Sequence, residues 1–152
     1  MKVEHINPFV KASTDILSQM AGLTCKLGKI YIKNETFNAP DVSILIGITG
    51  DLKGRAVLNM NKLLGLKIAS HMMGGIDIQA FDEISRSALA EIGNMIMGNS
   101  ATHLSSEGTI IDITPPTIIF GDSLLIHTSD SKPITIPLES QHGKIELDIA
   151  VS

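Results

Sequence analysis

Apolar residues recur along 82–104 (DEISRSALAEIGNMIMGNSATHL) at steps of three and four, through Ile84, Ala88, Ile92 and Met95. That is the period of an amphipathic helix with one face turned to a core. A second line runs beside it: Ser87, Glu91, Asn94 and Gly98, spaced by four, three and four. On a helix these positions stack into one strip. It offers a hydroxyl, a carboxylate, a carboxamide and a gap where another molecule's backbone could come close. Asp82 is the expected N-cap. A first helix is predicted over 8–21, with Asn7-Pro8 as cap and first turn, Phe9, Val10, Ser13, Ile16, Leu17 and Met20 in period, and Gly22 as the stop. Another helix is predicted after Asn61, closed by Gly74-Gly75.

The remaining apolar runs are short and β-branched. Residues 25–34 read as a strand, and Asn38–Asp41 as a turn. Residues 42–50 and 55–60 read as a hairpin about the turn 51–54. The run TIIDITPPTIIFG is broken by Pro115-Pro116, which marks a strand end or edge because proline donates nothing to a ladder. Strands are expected over 123–129, 134–139 and 144–152. The two halves look like a weak repeat, with SILIGITGDLKGRAVLNM parallel to SLLIHTSDSKPITIPLES. The expectation is an α+β fold. Two pseudo-symmetric helix-plus-strand repeats form one mainly antiparallel sheet, with the two long helices packed on one face.

Composition narrows the classes. The 152 residues suit one domain, 1–152, and 43% hydrophobic against 18% charged residues permits a sizeable core. A net charge of -4, no tryptophan and no basic run disfavour a nucleic-acid partner. No apolar run reaches the ~20 residues of a membrane helix, so no membrane insertion is expected. Cys25 is the lone cysteine and no signal-peptide pattern is present, which together read as a reducing cytoplasm. The five histidines are scattered without metal-site spacing, so no metal or cofactor of the chain's own is expected. Met72, Met73, Met95 and Met97 read first as adaptable core fillers.

Ser87-x3-Glu91-x2-Asn94, followed by Gly98 and a downstream proline, resembles the signature of the chemotaxis phosphatases CheC, CheX and FliY. Pro115 and Pro116 follow Asn94 after 20 and 21 residues, and Pro116 takes the motif position, one residue short of the family spacing. The likeness extends over essentially the whole chain. CheC-like members carry the signature on both long helices. The first helix here has Ser13 but then Leu17 and Met20, so one site is missing, as in CheX. The resemblance implies hydrolysis of the acyl phosphate of a phosphorylated CheY-like receiver domain. Asn94 would hold the attacking water, and Glu91 would pair with the receiver's active-site lysine. Ser87, Gly98 and Pro116 would complete the contact surface. Any Mg2+ would come with the receiver. The exposed edges of the expected sheet favour a homodimer. The rival is a non-catalytic receiver-binding or flagellar-switch-like module.

Overall fold

The computed structural model describes residues 3–128 and 131–152. Among them are three helices, α1 (Val3–Ala21), α2 (Lys62–Met72) and α3 (Glu83–Ser106). The strands are β1 (Lys26–Leu27), β2 (Tyr31–Ile32), β3 (Thr36–Ala39), β4 (Val42–Gly50), β5 (Gly54–Met60), β6 (Ile111–Ile113), β7 (Thr117–Phe120), β8 (Leu124–His127), β9 (Ile134–Ser140) and β10 (Gly143–Val151). Ser129, the last residue of the strand expected over 123–129, and Asp130 after it lie outside the described residues.

The long apolar runs form the hairpins β4–β5 and β9–β10, and β5 pairs with β10 at the centre. The main sheet follows the order β1-β9-β10-β5-β4-β6, with β2 also on β9 and β7 also on β4, every pairing antiparallel. The short strands after each long helix therefore pair with the other half's hairpin. The second hairpin is β9–β10 and not 123–140: β8 leaves the main sheet and pairs with β3. The internal alignment of 43–60 with 123–140 is thus out of step by one strand. Asn38 and Ala39, expected in a turn, belong to β3. The run 25–34 supplies two short strands in place of one.

Three layers result. Ile44, Ile46, Ile48, Leu58, Ile145, Leu147 and Ile149 alternate toward the helix side, where they pack with Phe9, Leu17, Leu89, Ile92 and Ile96. On the other face Val57 and Leu45 pack with Phe37, Ala39, Ile126 and Leu124 of the β3–β8 ribbon. Beside that small core, Asp148 is fully buried and held by donors. Asn59 donates to it at 2.5 Å, Thr135 at 2.6 Å and the Lys33 ammonium at 3.1 Å. Lys33 also reaches Glu146 at 3.2 Å, and the Tyr31 hydroxyl donates to the same carboxylate. Burial raises the pKa of Asp148 even with these donors around it.

Helix α1 begins earlier than its sequence pattern indicates. Pro8 sits inside it and not at its start, and Asn7 is not its cap. A proline this near the N-terminus forfeits one backbone bond, and here its ring is buried while Ile6 packs on the core. The other ends fall where expected. Asn61 and Asp82 accept from Leu64 N–H and Ser85 N–H at 2.8 Å. Helix α3 closes through Gly108, whose φ of 90° lets Thr109 N–H reach back to the Leu104 carbonyl at 2.9 Å.

Candidate functional site

The inner face of α3 holds Ser85, Ala88, Leu89, Ile92, Gly93, Ile96, Met97, Ser100 and Leu104, all buried. This corrects the expected apolar stripe at both ends. Ile84 lies in the first turn and is 50% exposed, and Met95 is only half-buried. Gly93 lets the helix lie directly on β4: a Cβ there would come within 2.9 Å of Ile44 Cγ2 and 3.5 Å of Ile46 Cδ1. The burial of one face fixes the rotation of the other, so Ser87, Glu91 and Asn94 all project into solvent. Gly98 is half-buried, yet a Cβ added to it would meet nothing within 4 Å. The four predicted residues do share one open strip.

Neither the Glu91 carboxylate nor the Asn94 carboxamide has a hydrogen-bond or ion-pair partner among the described residues. Their neighbours along the helix are satisfied. Asn99 donates to the Met95 carbonyl at 2.9 Å, Ser100 to Ile96 at 2.8 Å and Thr102 to Gly98 at 3.1 Å. At i and i+3 the Glu91 and Asn94 side chains start about 5–6 Å apart and point the same way. A carboxylate can take a cation. A carboxamide can at once accept a hydrogen bond from water and donate one to an oxygen.

Pro115 and Pro116 form a β-bulge. Ile113 pairs with Ile48, and Thr114 N–H donates to the Gly47 carbonyl at 3.0 Å. The next paired residues are Thr117 and Leu45. Two prolines thus stand opposite Ile46 alone, an extra residue on an edge strand where no donor is needed. Ile46 in turn lies beneath Gly93. The bulge therefore borders the part of α3 that carries Asn94, Pro115 being exposed and Pro116 half-buried.

Helix α1 carries no equivalent. Its buried positions Pro8, Phe9, Ala12, Ser13, Ile16 and Leu17 recur in α3 at Ala88, Leu89, Ile92, Gly93, Ile96 and Met97, each 80 residues on. On that register the counterparts of Ser87, Glu91 and Asn94 are Asn7, Lys11 and Thr14. Ser13 and Leu17 are buried and do not occupy the matching strip. Lys11 is exposed and paired with Asp15 at 3.3 Å. The expectation of one strip lacking the motif stands, although on different residues.

Other candidates resolve simply. Cys25 is half-buried, and desolvation pushes its thiol pKa up. No group of three or more His, Cys, Asp or Glu side chains among the described residues could hold a metal, and no helix there is long and apolar enough to cross a membrane. Met97 fills the core, but Met73 is 43% exposed, so the core reading of the methionines fails at that position.

The sequence profile of the chemotaxis phosphatase CheX family matches residues 42–139. The CheY-P phosphatase CheX of Thermotoga maritima is 32% identical over 126 residues, covering 83% of this chain and 81% of that protein. The crystal structure of a chemotaxis protein CheX from Desulfovibrio desulfuricans superposes with a TM-score of 0.90 at 33% identity, over 99% of this chain and 100% of that one. The CheX-CheY-BeF3-Mg2+ complex from Borrelia burgdorferi gives a TM-score of 0.82 at 28% identity, over 99% of both chains.

Proposed function

The chain belongs to the CheX family of chemotaxis phosphatases, and we propose that it hydrolyses the acyl phosphate of a phosphorylated CheY-like receiver domain through Asn94 and Glu91. The observation that carries this reading is the pair itself. Both side chains are exposed, without partners among the described residues, and held on a helix whose opposite face is fully packed. The likeness to the CheY-P phosphatase of Thermotoga maritima and to the Borrelia complex supports the choice of substrate.

The reaction needs little covalent help from this chain. Water attacks phosphorus in line, the bond from phosphorus to the aspartyl oxygen breaks, and the receiver's carboxylate leaves with the electron pair. The water's proton passes to solvent or to the released phosphate. Such a transition state responds to positioning and to charge stabilisation. Asn94 accepts from the water through its carbonyl oxygen and donates through its NH2, which fixes the water's direction of approach. Glu91 takes the receiver's lysine and so fixes how the receiver docks. The magnesium ion belongs to the receiver. Ser87, Gly98 and the Pro116 bulge flank the contact. The reading places the protein in the cytoplasm, where such receivers work.

We further propose a homodimer. The β1–β2 edge leaves Leu27 44%, Tyr31 41% and Ile32 66% exposed, an apolar edge that a second copy would cover. Sedimentation at micromolar concentration tests it, and a monomer would refute it.

The activity is tested by following the decay of a phosphorylated CheY-type receiver from the same genome, alone, with this protein, and with Asn94→Ala. Acceleration by the wild type and not by the folded variant is expected. No acceleration by the wild type across the available receivers would overturn the reading in favour of a binding module.

A further inference from the structure

Beside the Glu91–Asn94 strip, where the C-terminal ends of α1 and α2 meet the first turns of α3, lies an open groove of about 560 Å3. Its exposed apolar walls are Met20 at 37%, Met73 at 43% and Ile84 at 50%. Ser87 and Glu91 belong to the groove and to the strip alike, and Glu83 adds a second carboxylate to the lining, which includes no cation. We propose that this groove is the affinity-determining part of the substrate site, taking an apolar side chain flanked by basic groups on the phosphorylated receiver. The proposal rests on the reading of α3 as the receiver-docking helix.

Two observations select that occupant. The first is continuity. A partner that presents a cation to Glu91 stands at the wall of the groove and must cover or fill it, because the carboxylate is one of its lining groups. The second is charge. The two carboxylates at an otherwise apolar cleft favour an approaching surface that is basic around an apolar centre. The wall chemistry fits as well. Methionine is unbranched and polarizable, and it adapts to the shape of what it receives. The energetic division follows. Groove contacts are the same before and during phosphoryl transfer, so they lower KM without raising kcat. Asn94 acts on the water only as the bond breaks, so its loss falls on kcat.

The test uses the full chain with a phosphorylated CheY-type receiver from the same genome, varied in concentration to separate KM from kcat. Ile84→Asp and Met73→Lys remove the same kind of apolar contact while adding opposite charges. Both respect the helix ends: Asp lies in the first turn of α3 and Lys just past the last turn of α2, each favourable to the helix dipole. Leu63→Asp is the matched control. It lies in the first turn of α2, is 79% exposed and lies outside the groove. KM should rise about tenfold or more for Met73→Lys, which loses an apolar contact and also repels the basic rim, and rise less for Ile84→Asp, whose added carboxylate offsets part of the same loss, with kcat and the control unchanged. Unaltered KM in both groove variants, while the wild type accelerates decay and Asn94→Ala does not, would overturn the groove and leave the catalytic reading intact. A switch from dimer to monomer in the groove variants would overturn it too, by assigning the groove to a second copy. Failure of the wild type to accelerate any receiver would overturn both.

Discussion

Gly93 and Gly98 stand five residues apart on one helix and offer a matched pair of perturbations. Replacing a helix-interior glycine by alanine gains about 1 kcal/mol from backbone entropy alone. At Gly98 nothing offsets that gain, since a Cβ there meets no atom within 4 Å. Gly98→Ala should therefore stabilise the free protein by about 1 kcal/mol, raising Tm by roughly 2–4 °C for a domain of this size. At Gly93 the new methyl would lie 2.9 Å from Ile44 Cγ2. Ile44 is fully buried in β4 and its β-branched side chain is stiff, so the contact must be relieved by moving the helix off the sheet. Overpacking of this kind costs about 1–3 kcal/mol, which leaves Gly93→Ala between neutral and about 2 kcal/mol destabilised. Urea unfolding at pH 7 measures both, and phospho-receiver decay in the same buffer measures function. The functional expectation reverses the order. Gly98→Ala, the more stable protein, should show the higher KM, because its methyl stands where the receiver's backbone approaches. A Gly98→Ala protein that is stabilised and keeps its KM would remove Gly98 from the docking surface. One that is destabilised would refute the packing argument itself.

Three further outcomes are expected. Glu91→Ala should raise KM about tenfold or more through loss of a charge-assisted contact, with Glu91→Gln intermediate and kcat less affected; unchanged kinetics would remove Glu91 from docking. Asp148→Asn should destabilise by about 3 kcal/mol in urea titration, because Asn59, Thr135 and Lys33 all donate to this buried carboxylate and a carboxamide turns an NH2 toward at least one of them; a change under about 1 kcal/mol would refute that network's importance. Asp82 has a pKa held below the ordinary carboxylate range, first by its bond from Ser85 N–H. Its ionised form thus adds stability that is full above the unfolded pKa and lost as pH falls through the lowered folded value. Asp82→Asn should flatten that part of the acid limb, and identical urea midpoint profiles for both proteins from pH 7 to 2 would sink the assignment.

The elements that read clearly were those with one strong signal and one packing partner. Both hairpin strands 42–50 and 55–60, the caps Asn61 and Asp82, and the closing glycines follow from local chemistry that no distant contact overrides. The shared exposure of Ser87, Glu91 and Asn94 was legible as well. Ser87, Glu91 and Asn94 are polar on a helix whose other face is apolar, and packing has only one way to turn such a helix. What stayed hidden depends on long-range pairing. A short apolar run marks 124–127 as a strand, but nothing local says that its partner is β3, some 90 residues earlier, and not its neighbour β9. The bulge at Pro115-Pro116 required the register of β4 on both sides. Ile84 looked like core because period alone does not show where the helix runs past the edge of its support. The same overhang exposes Met73 and creates the groove.

The repeat explains both what the motif comparison captured and what it misplaced. Comparing helices by a leading serine aligned Ser13 with Ser87, yet the first is buried and the second exposed. Packing constrains the inner face of both helices, whereas no packing contact constrains the identity of an exposed strip. The buried positions from Pro8 to Leu17 therefore hold the register, each meeting a buried position of α3 at a shift of 80 residues. On that register the difference between the helices is sharper than the absence of a motif. Lys11 stands where α3 has Glu91, and its ammonium is held by Asp15. A cation at that point repels the lysine that Glu91 is proposed to receive, and Thr14 lacks the carboxamide that could both accept from a water and donate to an oxygen. The symmetric scaffold thus presents two similar strips of opposite charge at their key positions. Under the proposed chemistry only the α3 strip can receive the receiver's cation.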